Sequence, residues 1–337
     1  MKEAWSKFQF QFRVFLTLTK RHILVFSKNW TTVLFTMMVP VVIFIVYIVF
    51  LRNMMIDGIK TALPIFDQLV EDQQQKIYAL ADCWMMAGVL AVSCITVSLN
   101  TNYIMVRDKE RGANRDFISS PISSRMVMVS YFAFNTIVCF VVNFLVLCLC
   151  MIYLAAYGAF MIDFVDFLAL VGIILLSTMN AALLTFFVCN FINTESTLSS
   201  IVAIASAAVG FVIGAYFPAT GVIQKITVFF PGTYSASLFR NYFMSGPLSQ
   251  VIAMLDSLDL PGIDISEISE ILMGQFGLLP EPDTFSFVID FFGNDVPVDI
   301  QAWVLAAFTG IFAVLNLAFT YQNFMKFPKL KKAKKKN

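Results

Sequence analysis

Residues 78–121 read YALADCWMMAGVLAVSCITVSLNTNYIMVRDKERGANRDFISSP. From Tyr78 to Val106 the only charge is Asp82, and the stretch is long enough at 1.5 Å per residue to cross about 30 Å of hydrocarbon as a helix. The character then inverts. Arg107, Asp108, Lys109, Glu110, Arg111, Arg115 and Asp116 crowd into ten positions, closed by Ser119-Ser120-Pro121. An apolar run that hands over abruptly to a charge-dense one reads as a membrane span meeting a surface loop. A loop that merely joins two spans has no need of so many opposed charges, so this one reads as a docking element.

Outward from this stretch the pattern repeats. The 337 residues are 59% hydrophobic and 13% charged, against about 25% charged in a soluble domain. Mean hydropathy is +0.79. Six spans are predicted, at residues 29–51, 78–106, 125–157, 166–190, 198–217 and 300–323. Helices are expected, because β-barrel strands are shorter and alternate in hydrophobicity. Residues 1–28 are amphipathic and basic, with Trp5, Phe8, Phe12, Phe15 and Leu16 at helical spacing, and predict a helix lying in the cytoplasmic interface. No cleaved leader is expected there, and the first span would act as the insertion signal.

Charge sets the orientation. With six spans the two termini share a side with the loop at 104–124. Of the 23 Lys and Arg residues, six lie in the N-terminal segment, five between Arg107 and Arg125, and seven in the tail at 324–337. Five remain for the opposite side: Arg52, Lys60, Lys76, Lys225 and Arg240. The positive-inside rule places the termini and the charged loop in the cytoplasm, and contact of the basic tail with anionic lipid is expected.

Residues 218–299 form the long excursion on the outer side. Its first part, to Tyr242, predicts two short re-entrant helices. Further on, Asp264 with Glu267 three residues later reads as a helix start. Ile268, Ile271, Leu272, Phe276 and Leu279 then make an apolar face and Pro280 ends it. The excursion is expected to fold as a small helical extracellular cap. The fold class is thus an all-α integral membrane protein.

Several chemistries lack their residues. No glycine is followed by lysine, so there is no phosphate-binding Walker loop; one histidine, His22, precludes HExxH; no GxSxG or GxGxxG occurs. The six cysteines contain no CxxC pair and read as small apolar residues rather than zinc ligands or disulfides. His22 reads as an interfacial residue. Neither a catalytic nor a metal site is expected, nor a nucleic-acid partner. Mid-membrane carboxylates, on which ion-coupled carriers rely, are missing. Neutral polar residues inside spans, among them Ser93, Asn100, Asn135, Asn143, Thr178, Asn180, Asn190 and Asn316, are read as interhelical hydrogen bonds or as the lining of a path for an amphipathic molecule. Ser206, Gly210 and Gly214, spaced by four in the fifth span, permit a close helix approach; with Asn100 they are candidates for a translocation path or a dimer interface.

Within the charged loop, Arg107, Arg111 and Arg115 fall on one helical stripe, and Arg107–Glu110 and Asp108–Arg111 are spaced to pair at i, i+3. Gly112 is placed to end the helix. Ser120 as N-cap and Pro121 as first helical residue would begin the next element, which leads into the third span.

Glu110-Arg111-Gly112 followed by Phe117-Ile118-Ser119-Ser120-Pro121-Ile122 resembles the cytoplasmic loop signature of type 2 membrane domains of ATP-binding cassette transporters. Pro231-Gly232-Thr233-Tyr234 with Arg240 is similar to the proline-then-arginine pattern that family shows before its last span. The resemblance implies a permease subunit of an exporter, in a bacterial plasma membrane. It would pair with a second membrane domain and with separate nucleotide-binding subunits that hold ATP and magnesium. It makes Arg107, Asp108, Glu110, Arg111, Gly112, Arg115 and Phe117 a coupling helix, and Thr194 and Glu195, in the turn between spans four and five, a second contact. Drugs, antimicrobial peptides and lipids are the cargo classes that suit an apolar interior. The competing reading is a non-transporting sensor or scaffold whose outer cap binds a ligand; an intramembrane enzyme is disfavoured by the missing motifs.

Overall fold

The computed structural model describes residues 2–63, 66, 69–113, 122–216, 222–257, 265–280, 285–287, 289–291 and 294–324. Six of its helical stretches are long and apolar enough to cross a membrane, and the chain is a multi-pass membrane protein.

Helix α1 (Lys2–Lys28) carries two apolar faces. Leu18, His22 and Phe26, one helical turn apart, are buried against the third span, while Trp5, Phe12 and Leu16 are exposed. The first span is longer than expected. Helix α2 (Trp30–Val46) runs through a π-helical stretch, Tyr47–Leu51, into α3 (Arg52–Ala62). A charge at residue 52 would ordinarily end an apolar span. Here the Arg52 guanidinium meets the Asp82 carboxylate at 2.8 Å, so the helix continues.

Helix α4 (Glu71–Thr101) is the central pillar, with 94% of its most apolar stretch buried. One residue, Asn102, separates it from α5 (Tyr103–Glu110). The third span is α6 (Ser124–Ala156), and its cap is Ser123, whose Oγ accepts from the Met126 N–H at 3.3 Å. The expected cap at Ser120 and first helical residue at Pro121 lie outside the described residues. The fourth span is α7 (Phe164–Cys189) and the fifth α8 (Glu195–Val212). Buried amides and hydroxyls join these helices: Ser93 donates to Asn143, Ser98 to Asn135 at 3.0 Å, and Asn102 to Thr185 at 2.8 Å. Asn180 reaches Thr309 at 3.1 Å and Asn190 reaches Asn316 at 3.3 Å. Thr178 donates to the Leu175 carbonyl of its own helix at 2.9 Å.

The excursion departs most from expectation. In place of two short helices, a six-residue α9 (Val222–Thr227) precedes α10 (Pro231–Asp256), 26 residues packed along α4. Pro231 sits where a missing N–H is tolerated, in the first helical turn. Tyr234, Leu238, Phe239 and Phe243 are buried along α10. Helix α11 (Ile265–Phe276) buries Ile268, Leu272, Met273 and Phe276, leaving Ile271 exposed. It stops at Gly277, with φ 73°, before reaching Pro280. Its expected cap at Asp264 lies outside the described residues.

The cap is not purely helical. Strands β1 (Leu279–Pro280) and β2 (Phe285–Ser286) pair antiparallel, as do β3 (Ile289–Phe291) and β4 (Asn294–Val296). The alternation of Phe285, Phe287 and Ile289 suits short ladders better than a helix. Helix α12 (Val298–Phe324) is the last span. The basic tail lies beyond the described residues.

Candidate functional site

Two buried residues on α5 and two exposed ones at its end decide the geometry of the charged loop. The expected intrahelical pairs do not form. Asp108, 5% exposed, accepts from Arg21 Nη1 at 2.9 Å and from the Tyr131 hydroxyl at 2.6 Å, tying α5 to α1 and α6. Arg111 instead lies 3.7 Å from Glu195, at the start of α8. A carboxylate facing inward from a short helix gains more from a cation and a phenol that bury it than from a solvated neighbour on its own surface, where such pairs are worth only a few tenths of a kcal/mol.

Lys109 and Glu110 divide the turn between α7 and α8. Lys109 Nζ donates to the carbonyls of Cys189, Asn190 and Ile192 at 3.3, 2.9 and 2.7 Å. These belong to the end of α7, where carbonyls have no partner within the helix and the dipole favours a cation. Glu110 Oε2 accepts from the Glu195 backbone N–H at 2.7 Å, at the start of α8, where free N–H groups favour an anion. Thr194 caps the same end, its Oγ1 accepting from the Thr197 N–H at 3.3 Å. Tyr103 donates to the Glu195 carboxylate. One acid–base pair of adjacent residues thus grips two helix ends at once.

The expected contact residues Asp108, Glu110, Arg111, Thr194 and Glu195 are therefore assembled into one cluster. Gly112 closes it with φ 77°. Arg107 lies half-buried beside it. Arg115 and Phe117 lie outside the described residues. Glu110, Arg111, Asn193, Thr194 and Ser196 leave an exposed polar face.

Lys109 and Tyr103 are the residues of this cluster that sequence reasoning passed over. Lys109 lies off the arginine stripe, which was the only available signal. Its acceptors are backbone atoms eighty residues away.

His22 is a core residue rather than an interfacial one. Its ring stacks on Tyr131, with centroids 3.9 Å apart, and its Nε2 lies 3.2 Å from Ser130 Oγ. Burial and the neighbouring Arg21 push its pKa down to about 4.

Above the cluster a half-open cavity of about 490 Å³ lies between α2, α4 and α8. Asn100 and Ser206 both line it, with Thr32, Phe35, Tyr103 and Val202. The small-residue stripe does not extend past this cavity. A Cβ at Gly210 would overlap the Tyr216 ring of the same chain. Gly214 follows the end of α8 with φ 67°, so it belongs to a turn rather than to a helix face.

That turn is held by Arg240. Its Nη2 donates to the carbonyls of Gly214 and Ala215 at 2.7 and 3.2 Å, and its guanidinium stacks 3.8 Å from the Trp84 ring centroid. A Cβ at Gly88 would come within 2.5 Å of the Ala215 carbonyl oxygen, so this approach requires glycine. Among the described residues no group of three or more His, Cys, Asp or Glu side chains is placed to hold a metal ion. No family model, curated protein or solved structure matches the chain.

Proposed function

We propose that the chain is the permease subunit of an ATP-driven exporter for a hydrophobic or amphipathic molecule. A separate nucleotide-binding subunit hydrolyses ATP with magnesium, and a second membrane domain completes the complex. The termini and the Lys109–Glu110 cluster face the cytoplasm, in keeping with the segregation of basic residues.

The observation that carries this reading is the grip of Lys109 and Glu110 on the α7–α8 turn. A partner that pressed on the exposed face at Glu110, Arg111 and Thr194 would move α5 and the start of α8 together. Asp108 would pass the same displacement to α1 and α6. The cavity beside Asn100 and Ser206 lies next to the moving parts, and its hydroxyl, amide and apolar lining suits an amphipathic cargo.

The test uses the reconstituted complex of this chain with a nucleotide-binding subunit. Glu110→Gln with Arg111→Gln should leave insertion intact and lower thermal stability by no more than about 1 kcal/mol, the size of one lost helix cap. Transport coupled to ATP hydrolysis should fall more than tenfold. The chain alone should hydrolyse no ATP. Wild-type coupled transport in the double variant would refute the coupling role.

A further inference from the structure

At the opposite end of the bundle from Lys109 lies a second polar centre. The Asp82 carboxylate is 2% exposed, yet it sits on the central helix. It accepts from the Tyr47 hydroxyl at 2.5 Å, and from Arg52 Nε and Nη2 at 2.8 and 3.3 Å. The Arg52 guanidinium also lies 5.8 Å from the ring centroids of both Tyr78 and Tyr157. The Tyr153 ring lies tilted against Tyr157, with centroids 4.6 Å apart, and its buried hydroxyl has no hydrogen-bond partner among the described residues. A carboxylate held by one phenol and flanked by two aromatic rings is what a desolvated organic cation requires, since ring faces attract a cation within about 6 Å.

An open cavity of about 310 Å³ adjoins this centre, lined by Arg52, Glu71, Gln74, Tyr78, Asp82 and Tyr157. Arg52 keeps 23% of its side chain exposed toward it. Arg52 follows directly on the π-helical stretch Tyr47–Leu51, a local widening that recurs at functional sites. With Arg52 swung out, the cavity would keep two carboxylates, Asp82 and Glu71, and no cation of its own; the nearby Lys76 is paired with Asp72 at 3.0 Å.

We propose that the Asp82–Tyr47–Tyr78–Tyr157 cage is a binding site for an organic cation bearing a guanidinium or comparable planar head, and that Arg52 occupies it as a built-in competitor. The site stands apart from the cavity at Asn100 and needs no ATP-binding partner to be observed. An occupant supplied by the chain itself lowers apparent affinity by the fraction of time that it holds the cage.

The experiment is titration calorimetry of the full chain in lipid nanodiscs, with methylguanidinium as probe and methylurea as its uncharged isostere. Arg52→Gln should bind methylguanidinium at least tenfold more tightly than wild type and should not bind methylurea. A folded Arg52→Gln chain that binds the cation no better than wild type, or binds both probes alike, overturns the proposal. Should that variant fail to fold, the Arg52 Nε–H resonance of the wild-type chain is followed instead. Saturating methylguanidinium should shift it toward the solvent-exposed position and methylurea should not; an unmoved resonance overturns the proposal equally.

Discussion

Lys109 and Asp82 are buried to nearly the same extent, 5% and 2% exposed, at opposite ends of the bundle, yet they are neutralised in different ways. Lys109 is held by three backbone carbonyls, Asp82 by a guanidinium and a phenol. The difference follows from what a helix can offer. In mid-helix every carbonyl and N–H is already spent on the helix itself, so Asp82 can be satisfied only by side chains. Past Cys189, α7 has ended and its last carbonyls are free. Arg240 follows the same rule as Lys109, reaching the carbonyls of Gly214 and Ala215 just beyond α8. A buried charge in this protein is therefore met by side chains where it faces the middle of another helix, as Asp82 and Asp108 do, and by backbone carbonyls where it faces a helix end, as Lys109 and Arg240 do.

Removing Asp82 should test that rule most severely. Asp82→Ala leaves Arg52 and Tyr47 without their acceptor and should lower stability by about 3–5 kcal/mol, read as thermal unfolding in detergent. Combined with Arg52→Leu, much of that loss should return, because no unpaired charge remains. A double variant as unstable as Asp82→Ala alone would break the comparison.

Lys109→Met should cost less, about 1–3 kcal/mol, since its three acceptors lie at a helix end that water can reach once the turn opens. Hydrogen exchange at residues 189–195 should rise while α4 stays protected. Protection unchanged at that turn would mean that the α7 end does not depend on the lysine.

The smallest effect is expected from pH, through His22. Its folded pKa of about 4 lies below its ordinary 6.5, so the folded state binds fewer protons than the unfolded state between those values. Docking of α1 is therefore fully present above about pH 6.5 and weakens as pH falls toward 4. Exchange protection along residues 18–26 should show this loss, and His22→Gln should flatten it. A profile unchanged in that variant would show that His22 is not the source of the acid sensitivity.

The spans were legible because hydropathy over twenty residues is a local property. So was the position of the charged stretch, and so was Gly112 as its end. The partners of its charges were not. A reading along one helix pairs Asp108 with Arg111, because only those two are close in sequence. Arg21, 87 positions away, and Tyr131, on another span, are invisible to it. The length of the second helix, Pro231–Asp256, was not legible for a related reason. It is set by packing along α4, where Arg240 meets the Trp84 ring and the carbonyls of Gly214 and Ala215.

The sequence by itself determined six helices long and apolar enough to cross a membrane, because lipid admits only segments whose side chains are apolar and whose backbone groups are satisfied within the helix. The tertiary structure alone decided where each buried charge finds its counterpart. Those partners are helix ends and side chains from distant segments, and only the packing of the helices brings them within hydrogen-bond reach.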